Sequence, residues 1–287
     1  MTKLALGTAQ FGMDYGVANK TGQPRTSEVA AILDLASYAG IKLLDTAQDY
    51  GSSEDIIGSL QASRFSIITK IGKINGDVSS EIRLSLLGSL ERLQQSSVYG
   101  LLIHNVEQMI ANKECGARIA GNLLRLKNEG LVIKIGVSVY TPEELTQILE
   151  IFTPDIVQFP CCPIDGRWLR SGLLVEMKSL GVERHVRSIF LQGLLSLEYI
   201  DLPAWTLKFS TIIKEWHNWC AEVNMTSIEA AMMLAVNDGN FDKVIFGVDR
   251  VSQLKSLLDW SAAKPIEIPD SLYTFDEHLL DVRKWRT

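Results

Sequence analysis

Short apolar runs alternate with longer amphipathic segments along the whole chain. Continuous apolar runs that are bounded by turn residues are typical of strands buried on both faces. The predicted strands are Leu4–Gly7, Ile41–Asp45, Phe65–Lys70, Val98–His104, Lys134–Ser138, Ile156–Phe159, His185–Phe190 and Lys243–Gly247. Because they are spread over the chain rather than clustered, the segments between them are long enough to hold helices.

Helical patterns occupy most of these intervening segments. Ser27–Ala39 begins with a serine cap, carries apolar residues at helical spacing and stops at Gly40. Thr141 is placed as an N-cap, with Pro142 at the first helical position. The other predicted helices are Ser79–Gln95, Gln108–Asn128 and the ranges 166–180, 209–223, 226–236 and 251–262.

Eight strands with helices between them predict a (β/α)₈ TIM barrel of class α/β. No Pro/Gly/Ser-rich linker divides the chain, so residues 1–287 are predicted to form one domain. Residues 264–287 are expected to be a tail that packs on the barrel, with a short helix at Phe275–Trp285. A doubly wound sheet would be the competing architecture, but the sequence contains neither a GxGxxG motif after a strand nor a Walker A loop.

The amino-acid composition limits the kinds of molecule that this protein is expected to bind. The net charge is -6 and the pI about 5.4, so neither nucleic acid nor an anionic membrane is an expected partner. No apolar run approaches the roughly 20 residues of a membrane span. The four cysteines lack CxxC spacing, which predicts reduced thiols in a cytoplasm and no metal site. A small molecule is the expected partner, and no oligomeric state is predicted.

Ionisable side chains stand at the ends of three successive predicted strands. Asp45 ends the second strand, Lys70 the third and His104 the fourth, while Tyr50 lies in the loop after the second. Strand ends converge at one face of such a barrel, so the four side chains can meet. An ammonium about 4 Å from a phenol contributes roughly 4 kcal/mol at an effective dielectric near 20, before desolvation is subtracted. This interaction would lower the pKa of Tyr50 towards that of a working general acid.

Asp45 and His104 have roles that support proton donation by Tyr50. Asp45 would keep the Lys70 ammonium charged, and His104 would donate a hydrogen bond to a substrate oxygen. Taken singly, such residues are more often a helix cap, a packed ring or a core histidine, but their occurrence together favours catalysis. Since no protein nucleophile is evident, hydride from a nicotinamide is the natural complement to a proton donor.

Several ordered motifs resemble the aldo-keto reductase superfamily. They are Leu6–Gly12, Gly40–Gly51 with its Asp-Thr-Ala-x-x-Tyr-Gly motif, Thr69–Gly72, Ser89–Leu93 and Gly130–Ser138. The resemblance implies a (β/α)₈ barrel that reduces aldehydes or ketones, including sugar-type carbonyls, with NAD(P)H. It also implies a catalytic tetrad, which consists of Asp45, Tyr50, Lys70 and His104.

The resemblance further implies a set of cofactor contacts. Ser138 and Gln158 match positions that hold the nicotinamide carboxamide, although Val139 replaces the usual asparagine. Arg187 replaces an aromatic residue under the nicotinamide ring; a salt bridge to a carboxylate at the barrel top is the alternative for this arginine. The remaining expected cofactor contacts are Gly7, Thr8, Gly193, Gly247, Arg250 and Gln253.

The choice of cofactor depends on the loop after the eighth strand. Arg250 there can bind the 2′-phosphate of NADP(H), whereas Asp249 beside it opposes this. NADP(H) is therefore preferred, with NAD(H) possible.

Loops at the same barrel face are expected to form the substrate pocket. Its predicted residues are Gln10, Phe11, Tyr15, Trp168 and Trp205. Two alternatives to a carbonyl reductase stay open. One is a nicotinamide-binding sensor or accessory subunit without turnover, favoured by the altered cofactor positions. The other is a sugar dehydrogenase or epimerase with a tightly held cofactor.

Overall fold

The computed structural model describes residues 2–261 and 266–286. The strands are β1 (Leu4–Gly7), β2 (Leu43–Asp45), β3 (Ser66–Ile71), β4 (Val98–Ile103), β5 (Val132–Ser138), β6 (Ile156–Pro160), β7 (Glu183–Arg187) and β8 (Lys243–Gly247). They are parallel and close into a barrel in sequence order, with β8 pairing back to β1. The predicted (β/α)₈ TIM barrel is confirmed.

Helices surround this barrel. They are α1 (Ala9–Gly12), α2 (Thr26–Tyr38), α3 (Ser53–Ser59), α4 (Val78–Leu93), α5 (Glu107–Ala111), α6 (Lys113–Asn128), α7 (Pro142–Leu149), α8 (Gly166–Arg170), α9 (Leu173–Ser179), α10 (Ser210–Glu222), α11 (Ser227–Asn237), α12 (Val251–Ser261) and α13 (Glu277–Leu280). Short 3₁₀ segments are Leu191–Ser196, Tyr199–Asp201, Ala204–Phe209, Asp270–Leu272 and Val282–Arg286. None of the helices within the described ranges is long and apolar enough to cross a membrane.

Alternating strand residues pack on the two sides of the barrel wall. One set packs against the surrounding helices in a large apolar core that includes Leu6, Leu44 and Leu101. The other set fills the barrel interior with one side chain from each of six strands. These interior side chains are Ala5, Leu43, Ile68, Leu102, Ile156 and Ile245.

Two predicted helices are divided in the structure. The segment predicted as Gln108–Asn128 is broken at Asn112, which leaves the helical conformation and caps α6. The segment predicted over 166–180 is broken at Gly172, whose φ of +78° is left-handed. In both cases the apolar spacing continues across the break, so the pattern alone does not reveal it.

The predicted seventh strand also ends early. Residues up to Phe190 were assigned to it, but β7 stops at Arg187 because Ser188 adopts a left-handed φ of +57°. The chain then turns over the barrel mouth in the 3₁₀ segment Leu191–Ser196. This early end places Arg187 at the carboxyl end of β7.

The tail contributes to a second apolar cluster. Leu272, Leu279 and Leu280 pack there with Ile213 and Trp216 of α10. The helix predicted at Phe275–Trp285 is instead the single turn of α13 followed by a 3₁₀ segment, with Asp281 between them. Residues 264 and 265, where the tail was predicted to begin, lie outside the described residues.

Candidate active site

Three of the predicted catalytic side chains meet at the carboxyl ends of β2 and β3. Lys70 is fully buried, and its Nζ donates to Asp45 Oδ2 at 2.7 Å and to the carbonyl oxygen of Thr46 at 2.8 Å. Its third contact is the Tyr50 hydroxyl, 3.4 Å away. The buried ammonium is therefore held between a carboxylate and a phenol.

Burial dominates the electrostatics of this group. It lowers the pKa of Lys70, an effect that the attraction of Asp45 opposes. Burial also raises the pKa of Tyr50 above its ordinary value, and the charge of Asp45 raises it further while that of Arg187 opposes the shift. The lowered pKa that the sequence argument gave to Tyr50 is therefore wrong, because desolvation of the phenolate outweighs the nearby cations. Tyr50 keeps its proton at neutral pH and can donate it.

His104 follows the last residue of β4 and approaches Tyr50 edge to face, with ring centroids 5.7 Å apart. Burial lowers the pKa of His104, so the imidazole is neutral near pH 7. Its Nδ1 lies 3.0 Å from Asp49 Oδ2, and this hydrogen bond lowers the pKa of Asp49. The neutral ring thus donates Nδ1–H to an ionised carboxylate, which leaves Nε2 without a proton. His104 becomes a donor to a substrate oxygen only when the ring is protonated.

Asp49 was not among the predicted site residues. It occupies an unspecified position of the Asp-Thr-Ala-x-x-Tyr-Gly motif, immediately before Tyr50. The motif gives such a position no role, although an acid one residue before the tyrosine can be seen in the sequence. Its partner could not be identified without the fold.

Gln158 connects the tetrad to the centre of β6. Its Nε2 donates to Asp45 Oδ1 at 2.7 Å, so both oxygens of that carboxylate are engaged. Its Oε1 is buried and has no hydrogen-bond partner among the described residues. A buried carbonyl oxygen without a donor is costly. The site therefore fits a ligand that brings an N–H group, such as a primary amide, to Gln158.

A cavity of about 310 Å³ opens beside these residues. The predicted site residues that line it are Gly7, Thr8, Gln10, Tyr15, Asp45, Tyr50, Arg187, Gly193, Gly247 and Gln253. The cavity extends from Tyr50 to Trp260 on α12. It therefore connects the catalytic group with the loop after β8, as an extended ligand would require.

Arg187 lines this cavity and lies against one aromatic ring. Its guanidinium carbon lies over the Tyr140 ring, 4.4 Å from the centroid. Its Nη2 is 3.5 Å from Ser138 Oγ and its Nη1 is 3.4 Å from Ser188 Oγ. Its only hydrogen-bond acceptors in the described ranges are hydroxyls, and no carboxylate there forms an ion pair with it. The salt bridge considered as an alternative for this arginine is absent from the described part of the chain.

Tyr140 was missed by the sequence analysis. Its ring lies between two guanidiniums, because Arg283 of the tail approaches it to 4.1 Å from the centroid. Arg283 is itself held by Asp281 and Glu144. The sequence feature that could have indicated Tyr140 is its position, as an aromatic residue between the end of a strand and the Thr141 helix cap. A tail arginine that reaches it has no local sequence signature.

Three of the predicted substrate-pocket residues lie elsewhere, and this part of the prediction is wrong. Phe11 is fully buried in the main core. Trp168 is also fully buried and packs against Phe159, with ring centroids 4.4 Å apart. Trp205 packs on Trp285 of the tail at 4.7 Å. Complete burial of the Phe11 and Trp168 rings removes their apolar surface from water, which favours the core over the cavity for both.

The loop after β8 differs from the simple phosphate site that was predicted. Gln253 Oε1 accepts from the backbone N–H groups of Asp249 at 2.7 Å and Arg250 at 3.2 Å. Glu28 Oε1 accepts from the N–H of Val251 at 2.8 Å. The N–H groups at the start of α12 are therefore satisfied by side chains of the protein, one of them a carboxylate. Arg250 itself is exposed.

Two loops meet beside the cavity and form a strap. The N–H of Val17, in the loop after α1, donates to the carbonyl oxygen of Gln192 at 2.9 Å. Gly193 follows with a left-handed φ of +88°, and a Cβ there would press on Ala18. The side chain of a larger residue would separate the two loops, so glycine allows the contact between Val17 and Gln192.

A comparison with models of protein families gives a match over most of the chain. The family model of the aldo/keto reductases matches residues 3–271. The fold is similar to that of aldo-keto reductase AKR11C1 from Bacillus halodurans in its holo form, with 19% identity, a TM-score of 0.76 and coverage of 96% of this chain and 93% of that one. It is also similar to glycerol dehydrogenase AKR11B4 from Gluconobacter oxydans, with 19% identity, a TM-score of 0.70 and coverage of 92% and 88%. At such identities these structures show the fold alone. A comparison with curated protein sequences gives no match.

Proposed function

The chain belongs to the aldo/keto reductase family, and we propose that it is an NAD(P)H-dependent oxidoreductase that reduces an aldehyde or ketone to an alcohol. The observation that carries the proposal is the buried Lys70 ammonium in contact with both Asp45 and the Tyr50 hydroxyl. Sugar-type carbonyls are included among the substrates, which agrees with the polyol named for the similar dehydrogenase from Gluconobacter oxydans.

In the proposed reaction Tyr50 is the proton donor. A substrate carbonyl oxygen bound at its hydroxyl receives the proton as negative charge develops on that oxygen. The resulting phenolate is stabilised by Lys70, whose charge Asp45 maintains. His104, which follows β4, would donate Nε2–H to the same oxygen when its ring is protonated. Exclusion of water by the buried site strengthens each of these interactions.

A bound nicotinamide dinucleotide would supply hydride from C4 of its ring to the carbonyl carbon. Gln158, with its unpartnered Oε1, and Ser138 beside it would hold the carboxamide. Arg187 would lie against the ring. The remaining proposed cofactor contacts are Gly7, Thr8, Gly193, Gly247, Arg250 and Gln253.

The loop after β8 supports a test of cofactor preference. Arg250 favours the 2′-phosphate of NADP(H), whereas Asp249 and Glu28 place negative charge at the same helix terminus. Glu28→Gln should therefore raise affinity for NADPH while leaving affinity for NADH nearly unchanged, as measured by fluorescence titration of both cofactors. If the ratio of the two dissociation constants is unchanged, Glu28 has no part in the selection.

The proposed setting is a cytoplasm, since Cys115, Cys161, Cys162 and Cys220 are free thiols. A small-molecule carbonyl is the proposed partner, without nucleic acid or membrane.

Substitution of Tyr50 tests the proposed function directly. Tyr50→Phe removes the proton donor and should reduce kcat by about 10²- to 10⁴-fold in a panel of aldehydes and ketones, followed through NADPH or NADH oxidation. Tyr99→Phe is the matched control, because Tyr99 lies near the start of β4, away from the cavity, and its hydroxyl donates to Glu183 at the start of β7. Equal activity of wild type and Tyr50→Phe would contradict the proposal, as would wild type without activity on any carbonyl.

A further inference from the structure

A cation without a counter-charge faces the cavity that contains the proton donor. Arg187 and Tyr50 both line this cavity. The two hydroxyl acceptors of Arg187 lie at 3.4 and 3.5 Å, the long limit of a hydrogen bond. A guanidinium has five N–H donors in a planar fork. Most of the donor capacity of Arg187 is therefore unused among the described residues.

Charged side chains taken from water are normally paired, because an unpaired charge loses hydration without compensation. Two buried arginines in the described part of the chain follow the rule. Arg167 forms two bonds with Asp165, and Arg184 forms two with Asp242. Arg187 is half-buried and lacks such a partner among the described residues, and its guanidinium lines the cavity, where a ligand can reach it.

The carboxylates of the cavity cannot serve as this partner. Asp45 is engaged on one oxygen by Lys70 and on the other by Gln158. Asp249 lies in the loop after β8, where its Oδ1 has no hydrogen-bond partner among the described residues and forms no ion pair with Arg187. Among the described residues that line the cavity, Asp45 and Asp249 are the only carboxylates. The missing counter-charge must therefore come from a bound molecule.

We propose that Arg187 binds a carboxylate of the substrate, so that the natural substrate is an aldehyde or ketone carrying a carboxylate group. The inference rests on the proposed carbonyl reduction for its reaction and adds the charge of the substrate. A single guanidinium matches one carboxylate in charge, and its fork matches the two oxygens in geometry. A phosphate ester, with a charge of about -1.5 to -2, would need a second cation.

The packing of Arg187 leaves its donors available for this role. The guanidinium carbon of Arg187 lies over the Tyr140 ring, which also contacts Arg283. A ring supplies no carboxylate to the guanidinium, and the N–H contacts of Arg187 go to the Ser138 and Ser188 hydroxyls. Tyr140 and Arg283 therefore position the cation without neutralising it.

The test compares a charged and a neutral aldehyde built on the same ring. These are 4-carboxybenzaldehyde and its methyl ester; the ester withdraws electrons more strongly than the carboxylate, so intrinsic carbonyl reactivity works against the expected preference. Wild type should favour the acid by about tenfold or more in kcat/KM, the effect of a charge-assisted hydrogen bond. In Arg187→Gln this ratio should fall to about one or below, and Arg187→Lys, which keeps the charge but loses the fork, should give an intermediate ratio. Arg170→Gln should keep the wild-type ratio, since Arg170 pairs with Asp270 of the tail and does not line the cavity.

Other outcomes overturn the proposal. One is a wild-type ratio near one. Another is an Arg187→Gln variant that loses activity on the acid and on the ester equally, since the arginine would then serve only the cofactor ring against which it is proposed to lie.

Calorimetric titration with benzoate and benzamide separates this inference from the proposed reaction, because it needs no turnover. Wild type should bind benzoate at least tenfold more tightly than Arg187→Gln does, with benzamide binding equally to both. If no carbonyl is reduced but wild type binds benzoate more tightly than Arg187→Gln does, the proposed reaction is contradicted and the anion site is supported. If carbonyls are reduced but the two proteins bind benzoate equally, only the anion site is contradicted.

Discussion

Individual residues of the site differ in how far the sequence determines their chemistry. The pairing of Lys70 with Asp45 could be predicted, because both stand at the ends of neighbouring strands. The acidity of Tyr50 could not, since it depends on burial, which no motif encodes. Asp49 shows the same limit, because its partner His104 lies 55 positions away in the chain.

The hydrogen bond between Asp49 and His104 makes a prediction about protonation. Burial holds the pKa of His104 below its ordinary value of 6.5, and the bond to Asp49 opposes this effect. Asp49→Asn should therefore lower the pKa of His104 further, so that the ring takes up its proton only at a more acidic pH. An NMR titration of the imidazole C–H signals measures this, with His104→Gln to identify the signal. A pKa that is unchanged or higher in Asp49→Asn would show that the carboxylate does not support the imidazolium.

At the scale of secondary-structure elements, strands were predicted better than helices. β1 and β8 have the predicted bounds because turn residues end each apolar run. The prediction of a single helix over Gln108–Asn128 was wrong, because the structure divides this segment at Asn112 although the apolar spacing continues on both sides. A polar residue that caps a helix looks the same in sequence as one on its exposed face.

Asn112 provides a stability test of that break. Its side chain accepts from the N–H of Cys115 at 3.0 Å and caps α6. Asn112→Ala should lower the free energy of unfolding by about 1 kcal/mol, and Tm by about 2 °C. Asn122→Ala, at a half-buried position within the same helix, should not destabilise the protein, because alanine is the better helix former. Equal effects of the two substitutions in thermal unfolding would show that Asn112 is not acting as a cap.

At the scale of the whole molecule, alternation along the chain was sufficient to predict the closed barrel. The connection between the tail and the active site was not predictable. Arg283 reaches Tyr140 across 143 positions, and only the folded chain brings them together. The tail is thereby joined to Arg187, on the other face of the same ring.

This connection predicts that a change in the tail alters substrate binding. Arg283→Ala removes a cation–π contact worth about 1 kcal/mol, so KM for carbonyl substrates should rise about fivefold with nucleotide affinity unchanged. Arg170→Ala is the control, because Arg170 ties the tail through Asp270 and Tyr273 without touching Tyr140. Steady-state kinetics should show no change for the control. A similar rise of KM in both variants would mean that the tail acts through general stability.

The strap formed by Val17 and Gln192 bears on the timing of catalysis. A dinucleotide lying in the cavity would be enclosed where the two loops are joined by a backbone hydrogen bond. For such a molecule to leave, that bond must break first, and this opening is a first-order event independent of nucleotide concentration. The two loops would then have to separate in each catalytic cycle, so the rate of release of the oxidised nucleotide would limit kcat.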